Sequence, residues 1–183
     1  PMNHPVDARR VPQLNGVFAA IQTELDDAAC AVLQGVIPDD LSGTYVRNGP
    51  NPRFPPIGSY TYPLDGDGMV HAVSFAGGEA RYRNRYVRTP SLAAEERAGR
   101  ALWGGVLTPI SPPAEVVGPA LAHKPFRDMP DIHIVRHGGR LLALSEGDPP
   151  FALTDRLATV GPWDFGGALP LGIGAHPKID PTT

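Results

Sequence analysis

An all-β fold is the class this sequence predicts, and three observations carry the prediction. The 183 residues include 21 glycines and 22 prolines, a turn-rich balance expected of many short strands joined by tight turns. Two pairs of β-rich runs are each interrupted by a Gly-Gly step, at Gly77-Gly78 and at Gly138-Gly139, where a hairpin turn needs positive φ. The two steps lie 61 residues apart with runs of similar length around each, a spacing that suggests repeated antiparallel units such as propeller blades.

Taken in order, residues 1–16 are polar and proline-marked and read as a loose tail. From 17 to 33, Phe18, Ile21, Leu25, Ala28 and Val32 recur at helical spacing, the pattern of an amphipathic helix. Strands are expected over 44–47 and 60–62, on either side of an Arg-Asn-Gly-Pro-Asn-Pro turn. Residues 69–75 and 79–87 give the first hairpin. In its second strand Arg81, Arg83 and Arg85 alternate with Tyr82 and Tyr86, and period-two alternation means one solvated and one packed face rather than a nucleic-acid surface. One short helix is expected over 92–102, with Pro90 near its start, no β-branched residue inside and Trp103-Gly104-Gly105 as its end. Six prolines between 104 and 130 make that stretch a long irregular excursion. Residues 132–136 and 140–145 form the second hairpin.

A net charge of −3 and a pI near 6.1 argue against a general binder of nucleic acid or anionic membranes. Cys30 is the one cysteine, which rules out an internal disulfide and fits a reducing compartment. No run of 18 apolar residues exists and the N-terminus lacks a signal-peptide pattern, so the expectation is a cytoplasmic protein, with peripheral membrane contact left open.

Several ordered segments carry a family wording. Residues 43–52 read GTYVRNGPNP and 58–72 read GSYTYPLDGDGMVHA; 85–89 are RYVRT, 137–146 HGGRLLALSE and 174–181 GAHPKIDP. This series resembles the N-terminal portion of the carotenoid cleavage oxygenases, a family that includes carotenoid dioxygenases, stilbene-cleaving oxygenases and a retinoid isomerase. Members are considerably longer than this chain. The resemblance implies a single propeller domain over 1–183, formed by the first blades of a seven-bladed β-propeller whose remainder comes from residues beyond Thr183. It also implies that the stretch before Ile37-Pro38 runs extended over 31–37, against its helical periodicity.

For chemistry, the resemblance implies a ferrous iron, Fe(2+), on the propeller axis, held by four neutral histidines from different blades, with O2 added across a conjugated C=C bond of a carotenoid or apocarotenoid to give aldehyde or ketone products. Imidazole suits Fe(II). His176 stands in the segment that carries the first of those ligands, and Pro177 after it holds it extended on a rigid segment. The other three ligands are expected beyond Thr183, which leaves the fragment alone inactive. Glu146 matches a family glutamate that accepts the other ring N–H of a ligating histidine, its partner belonging to the absent part. Where many members read Asn-Thr-Asn-Val or Asn-Thr-His-Val, this chain has Asp131-Ile132-His133-Ile134. The family threonine approaches an open iron position in some members, which implies an iron-proximal place for Ile132, with a methyl and no hydroxyl. A stilbenoid-cleaving enzyme and a non-catalytic β module remain the alternatives.

Other constellations fall short. His133 and His137 have zinc-helix spacing, but Ile134 replaces the glutamate such a site needs. Asp65-Gly66-Asp67-Gly68 begins like a calcium loop, yet its twelfth position is Ala76. No G-x-S-x-G, no C-x-x-C and no complete dinucleotide fingerprint occur.

Overall fold

Each Gly-Gly step seeds one antiparallel sheet. Gly77 and Gly78 have φ of 55° and 76°, and Gly138 and Gly139 have 53° and 75°, values a two-residue hairpin turn requires at both central positions. The first turn joins β3 (Gly68–Ala76) to β4 (Glu79–Tyr86); the second joins β5 (His133–His137) to β6 (Arg140–Leu144). Around them are β1 (Ala28–Ala29), β2 (Gly43–Pro50), β7 (Phe151–Leu153) and β8 (Thr159–Pro162). The computed structural model describes residues 4–180 and 182. The first three residues of the expected tail, with Pro181 and Thr183, lie outside the described residues.

The strands form two four-stranded sheets, in the orders β1-β4-β3-β2 and β5-β6-β7-β8, antiparallel throughout. Val70 and Ala72 of β3, with Val87, pack against Leu141 and Ala143 of β6, Phe151 and Leu153 of β7, and Leu157. Burying each Leu or Phe of this layer contributes about 1.5–3 kcal/mol, so the sheets are held face to face. On the far face of the second sheet, Leu142, Leu144 and Ala152 close over Ala175. Both sheets are open, and the seven-bladed closure is not seen within these residues.

Several expectations need correction. Residues 60–62 form no strand: the chain turns there, with the Thr61 carbonyl accepting from the N–H groups of Leu64 and Asp65 and the Asp65 carboxylate accepting from Thr61 N–H. Residues 31–37 run without helix but form no strand either; the paired residues come earlier, at Ala28–Ala29. The segment 21–25 is held straight by side chains. Asn51 bonds the N–H and carbonyl of Ile21, and Asn84 bonds Leu25 N–H and the Thr23 carbonyl. Helix α1 spans Pro90–Ala98, four residues short of the expected end, because Gly99 adopts φ 65° and closes it on the Glu95 and Glu96 carbonyls. Thr89 caps its start by accepting from Leu92 N–H. The one expected helix is joined by two single-turn helices within the excursion, α2 (Ala114–Val117) and α3 (Pro119–Ala122). Residues 8–18 form three 3-10 turns, and Pro5 bridges to Ile57. Among the described residues, no helix is long and apolar enough to cross a membrane.

Candidate functional site

His176 is placed by a crossing of two backbones. Strand β6 ends in Ser145-Glu146-Gly147, and the segment 172–175 runs across that loop, with Gly147 N–H bonded to the Ile173 carbonyl and Ile173 N–H to the Asp148 carbonyl, each at 3.3 Å. Gly172 makes this approach feasible: a Cβ there would lie 1.5 Å from the Gly147 carbonyl oxygen. Ala175 is fully buried among Leu142, Leu144 and Ala152, so the next residue emerges at a fixed point on the surface.

There the His176 ring meets Glu146, with Nε2 and Oε1 3.4 Å apart, and the second carboxylate oxygen accepts from Ala175 N–H at 3.5 Å. Thus Glu146 is not left unpaired in this chain; one carboxylate braces both the histidine and the backbone before it. Both side chains stay open to solvent, at 70% and 56% exposure. The His133 ring approaches from β5, its centroid 6.0 Å from that of His176 and tilted by 38°. Ile132 packs into the layer around Ala175, which brings it to the same face. Beside them a largely apolar cleft of about 360 Å³ is lined by Leu142, Leu144, Phe165, Ile173 and Pro177, with His137, Lys178 and Asp180 also on its wall.

The donor set fits one ligand of a shared metal centre and no more. An exposed imidazole with a carboxylate at its second nitrogen is the usual arrangement of a metal-binding histidine. Among the described residues no group of three or more His, Cys, Asp or Glu could hold a metal ion. The contact with His133 carried no motif signal in the sequence; only the pairing of β5 on β6 creates it.

The remaining histidines lie elsewhere. His137 is on the same strand as His133, about 13 Å further along at strand rise, so the pair cannot share one ion. It sits against Phe165. His71 bonds Tyr82 Oη through Nδ1 at 2.7 Å, and burial, with Arg47 nearby, holds its pKa below the usual histidine value. His123 ends α3. The Asp-Gly-Asp-Gly turn is buried, with both Asp65 oxygens accepting backbone N–H groups, from Thr61 and Val106.

Comparison with known proteins is consistent with this geometry. The family model described as retinal pigment epithelial membrane protein matches residues 18–183. A carotenoid cleavage oxygenase of Mycobacterium tuberculosis is 40% identical over 94% of this chain and 32% of its own length. Among solved structures, a lignostilbene dioxygenase of Pseudomonas brassicacearum is similar with a TM-score of 0.80 at 32% identity, over 95% of this chain and 35% of that one. A cobalt-substituted Synechocystis apocarotenoid oxygenase is similar with a TM-score of 0.72 at 36% identity, over 88% and 34%. The chain spans about a third of the length of the relatives it matches.

Proposed function

The chain belongs to the carotenoid cleavage oxygenase family, matching its model over residues 18–183, and from that premise we propose that the protein carrying it is an iron(II)-dependent dioxygenase of a conjugated C=C bond in a carotenoid or apocarotenoid. One O2 and one double bond become two carbonyl groups, so no further co-substrate is needed. The observation that carries this reading is His176, presented from a backbone crossing beside Glu146 and an apolar cleft. The relatives are carotenoid, apocarotenoid and lignostilbene oxygenases by name, and one of them has been crystallised with cobalt.

In this reading His176 is one metal ligand and further ligands come from outside the chain. When bound, the iron supplies the redox centre for O2. Glu146 Oε1 lies 3.4 Å from His176 Nε2, so in this reading it favours the tautomer with the proton on Nε2 and the lone pair on Nδ1. Leu142, Leu144, Phe165 and Ile173 offer a hydrocarbon chain dispersion contacts in the cleft, which His137, Lys178 and Asp180 also line. Ile132 extends that apolar wall toward the His176 face, where a hydroxyl would have offered a polar contact. Exposed Cys30, unpaired, fits a reducing compartment.

A stilbenoid substrate is the second reading, favoured by the likeness to the lignostilbene dioxygenase. The test is to purify the full-length protein and its His176→Ala variant, measure bound iron and circular dichroism, and analyse products from an apocarotenoid and a hydroxylated stilbene. Loss of iron and turnover with unchanged dichroism is expected of the variant, and aldehyde products from the polyene are expected of the parent. Full activity in the variant would remove His176 from the site, and cleavage of the stilbene alone would change the substrate class.

A further inference from the structure

The densest buried charge in the chain lies away from the His176 face. Asp65 and Asp67 of the Asp-Gly-Asp-Gly turn, Glu95 of α1, Arg127 and Asp131 are all buried, with Asp67 and Asp131 each 2% exposed and Glu95 fully enclosed. Arg127 Nη1 donates to Asp67 Oδ2 at 3.3 Å and to Glu95 Oε2 at 3.4 Å. The other Glu95 oxygen accepts from the N–H groups of Leu102 and Trp103. Nearby cations are turned elsewhere: Arg53 gives Asp67 Oδ2 only its backbone N–H, its guanidinium reaching Gln22, and Lys124 is paired with Asp128.

That leaves four carboxyl groups around one guanidinium, and two of their oxygens have nothing to bond. Asp67 Oδ1 and Asp131 Oδ2 are enclosed without a hydrogen-bond partner. Because this chain itself covers both atoms, a longer polypeptide has no route by which to supply one. Burying an unpaired carboxylate is strongly unfavourable, so the surplus negative charge needs a compensating positive one. A metal ion lacks its ligands, since no group of three or more suitable donors occurs among the described residues. A proton needs a single oxygen.

We propose that Asp131 is a built-in proton site: the folded protein holds it as the neutral acid facing Asp67, Asp65, Arg127 and Tyr60, and loss of that proton loosens the entry to β5, which carries Ile132 and His133 to the His176 face. Burial pushes the Asp131 carboxyl well above the ordinary carboxylate range; its own backbone N–H pulls it down, the Asp67 and Asp65 charges push it further up, and Arg127 opposes them. Tyr60 feels the same surroundings, pushed up to about 12 by burial and then by the Asp65 charge. An acid whose folded pKa is raised keeps a proton that the unfolded chain has released. Its stabilising contribution is therefore complete below the ordinary carboxylate range and is lost as the pH rises through the raised value.

The experiment uses the full-length protein, with Asp131→Asn as a neutral isostere of the acid. Infrared spectra at neutral pH should show a carboxylic-acid C=O stretch that weakens in the variant, and the melting temperature of the parent should fall more steeply from mildly acidic to alkaline pH than that of the variant, in which Asp65 and Glu95, also pushed up by burial, remain. Asp67→Asn removes a charge that favours the protonated form of Asp131, so it should move the decline to lower pH. Absence of the acid band in the parent, identical pH slopes in parent and Asp131→Asn, or an unchanged or higher pH of decline with Asp67→Asn would overturn the proposal. So would a rise in the parent's melting temperature on adding Ca²⁺ or Na⁺ at fixed pH that Asp131→Asn does not share, since the compensating charge would then be a cation.

Discussion

At the scale of the residue, the site depends on how one carboxylate divides its two oxygens. Glu146 turns one toward His176 Nε2 and the other toward Ala175 N–H, so it couples the direction of the ring to the backbone that presents it. Glu146→Gln keeps the size and one acceptor oxygen but loses the charge, and its amide can present a donor where the ring needs an acceptor. A change of this kind around a metal-binding histidine typically costs about 10 to 100-fold in metal affinity or activity. Iron titration and steady-state kinetics on the full-length Glu146→Gln protein should fall in that range, with the melting temperature little changed because the side chain is more than half exposed. Parent-like iron affinity and turnover would mean that the contact is incidental. The sequence singles out His176 and Glu146 through family-like motifs, but their mutual contact is not marked in it. It arises from the crossing of segments 25 to 30 residues apart, which no local pattern encodes.

At the scale of the element, legibility followed backbone necessity. Both hairpins were readable because two successive residues with positive φ are tolerated by little besides glycine, whereas β7, three residues long, and β8, which holds Gly161 and Pro162, carry no such mark. The helical periodicity over 17–33 was misleading for a physical reason: it records no buried face, since Phe18, Ile21, Leu25 and Val32 are 49%, 43%, 42% and 49% exposed, and backbone groups of 21–25 bond the side chains of Asn51 and Asn84. The same necessity predicts the effect of filling Gly172. A methyl placed 1.5 Å from the Gly147 carbonyl oxygen meets backbone rather than a side chain that can swing away, so the two segments must part. Overpacking of this kind typically costs about 1–3 kcal/mol. In full-length Gly172→Ala, denaturant titration should show a loss of that order together with weakened iron binding, because Ala175 and His176 ride on the displaced segment. A variant with parent stability and parent iron content would show that the crossing does not position the histidine.

At the scale of the whole molecule, the two sheets share one core but each turns a second face outward. On the second sheet that face holds the apolar cleft beside His176, and on the first it holds exposed Tyr45 and the β2 edge. Exposed sheet edges and apolar faces recruit other chains unless the rest of a fold covers them. The chain spans about a third of its relatives' length, and in the proposed reading it brings one imidazole to the metal site. Two consequences are therefore tied together: the 183-residue chain by itself should self-associate as its concentration rises and should bind iron well below one equivalent, because the polypeptide that would cover the open faces is also the polypeptide that would bring the missing ligands. Sedimentation across a dilution series, with elemental analysis of the same samples, measures both. Adding the remainder of the full-length polypeptide should restore a single species and near-stoichiometric iron in one step. A chain that stays monomeric and carries a full equivalent of iron on its own would mean that these residues complete a metal centre unaided, and the division of ligands argued from His176 would be wrong.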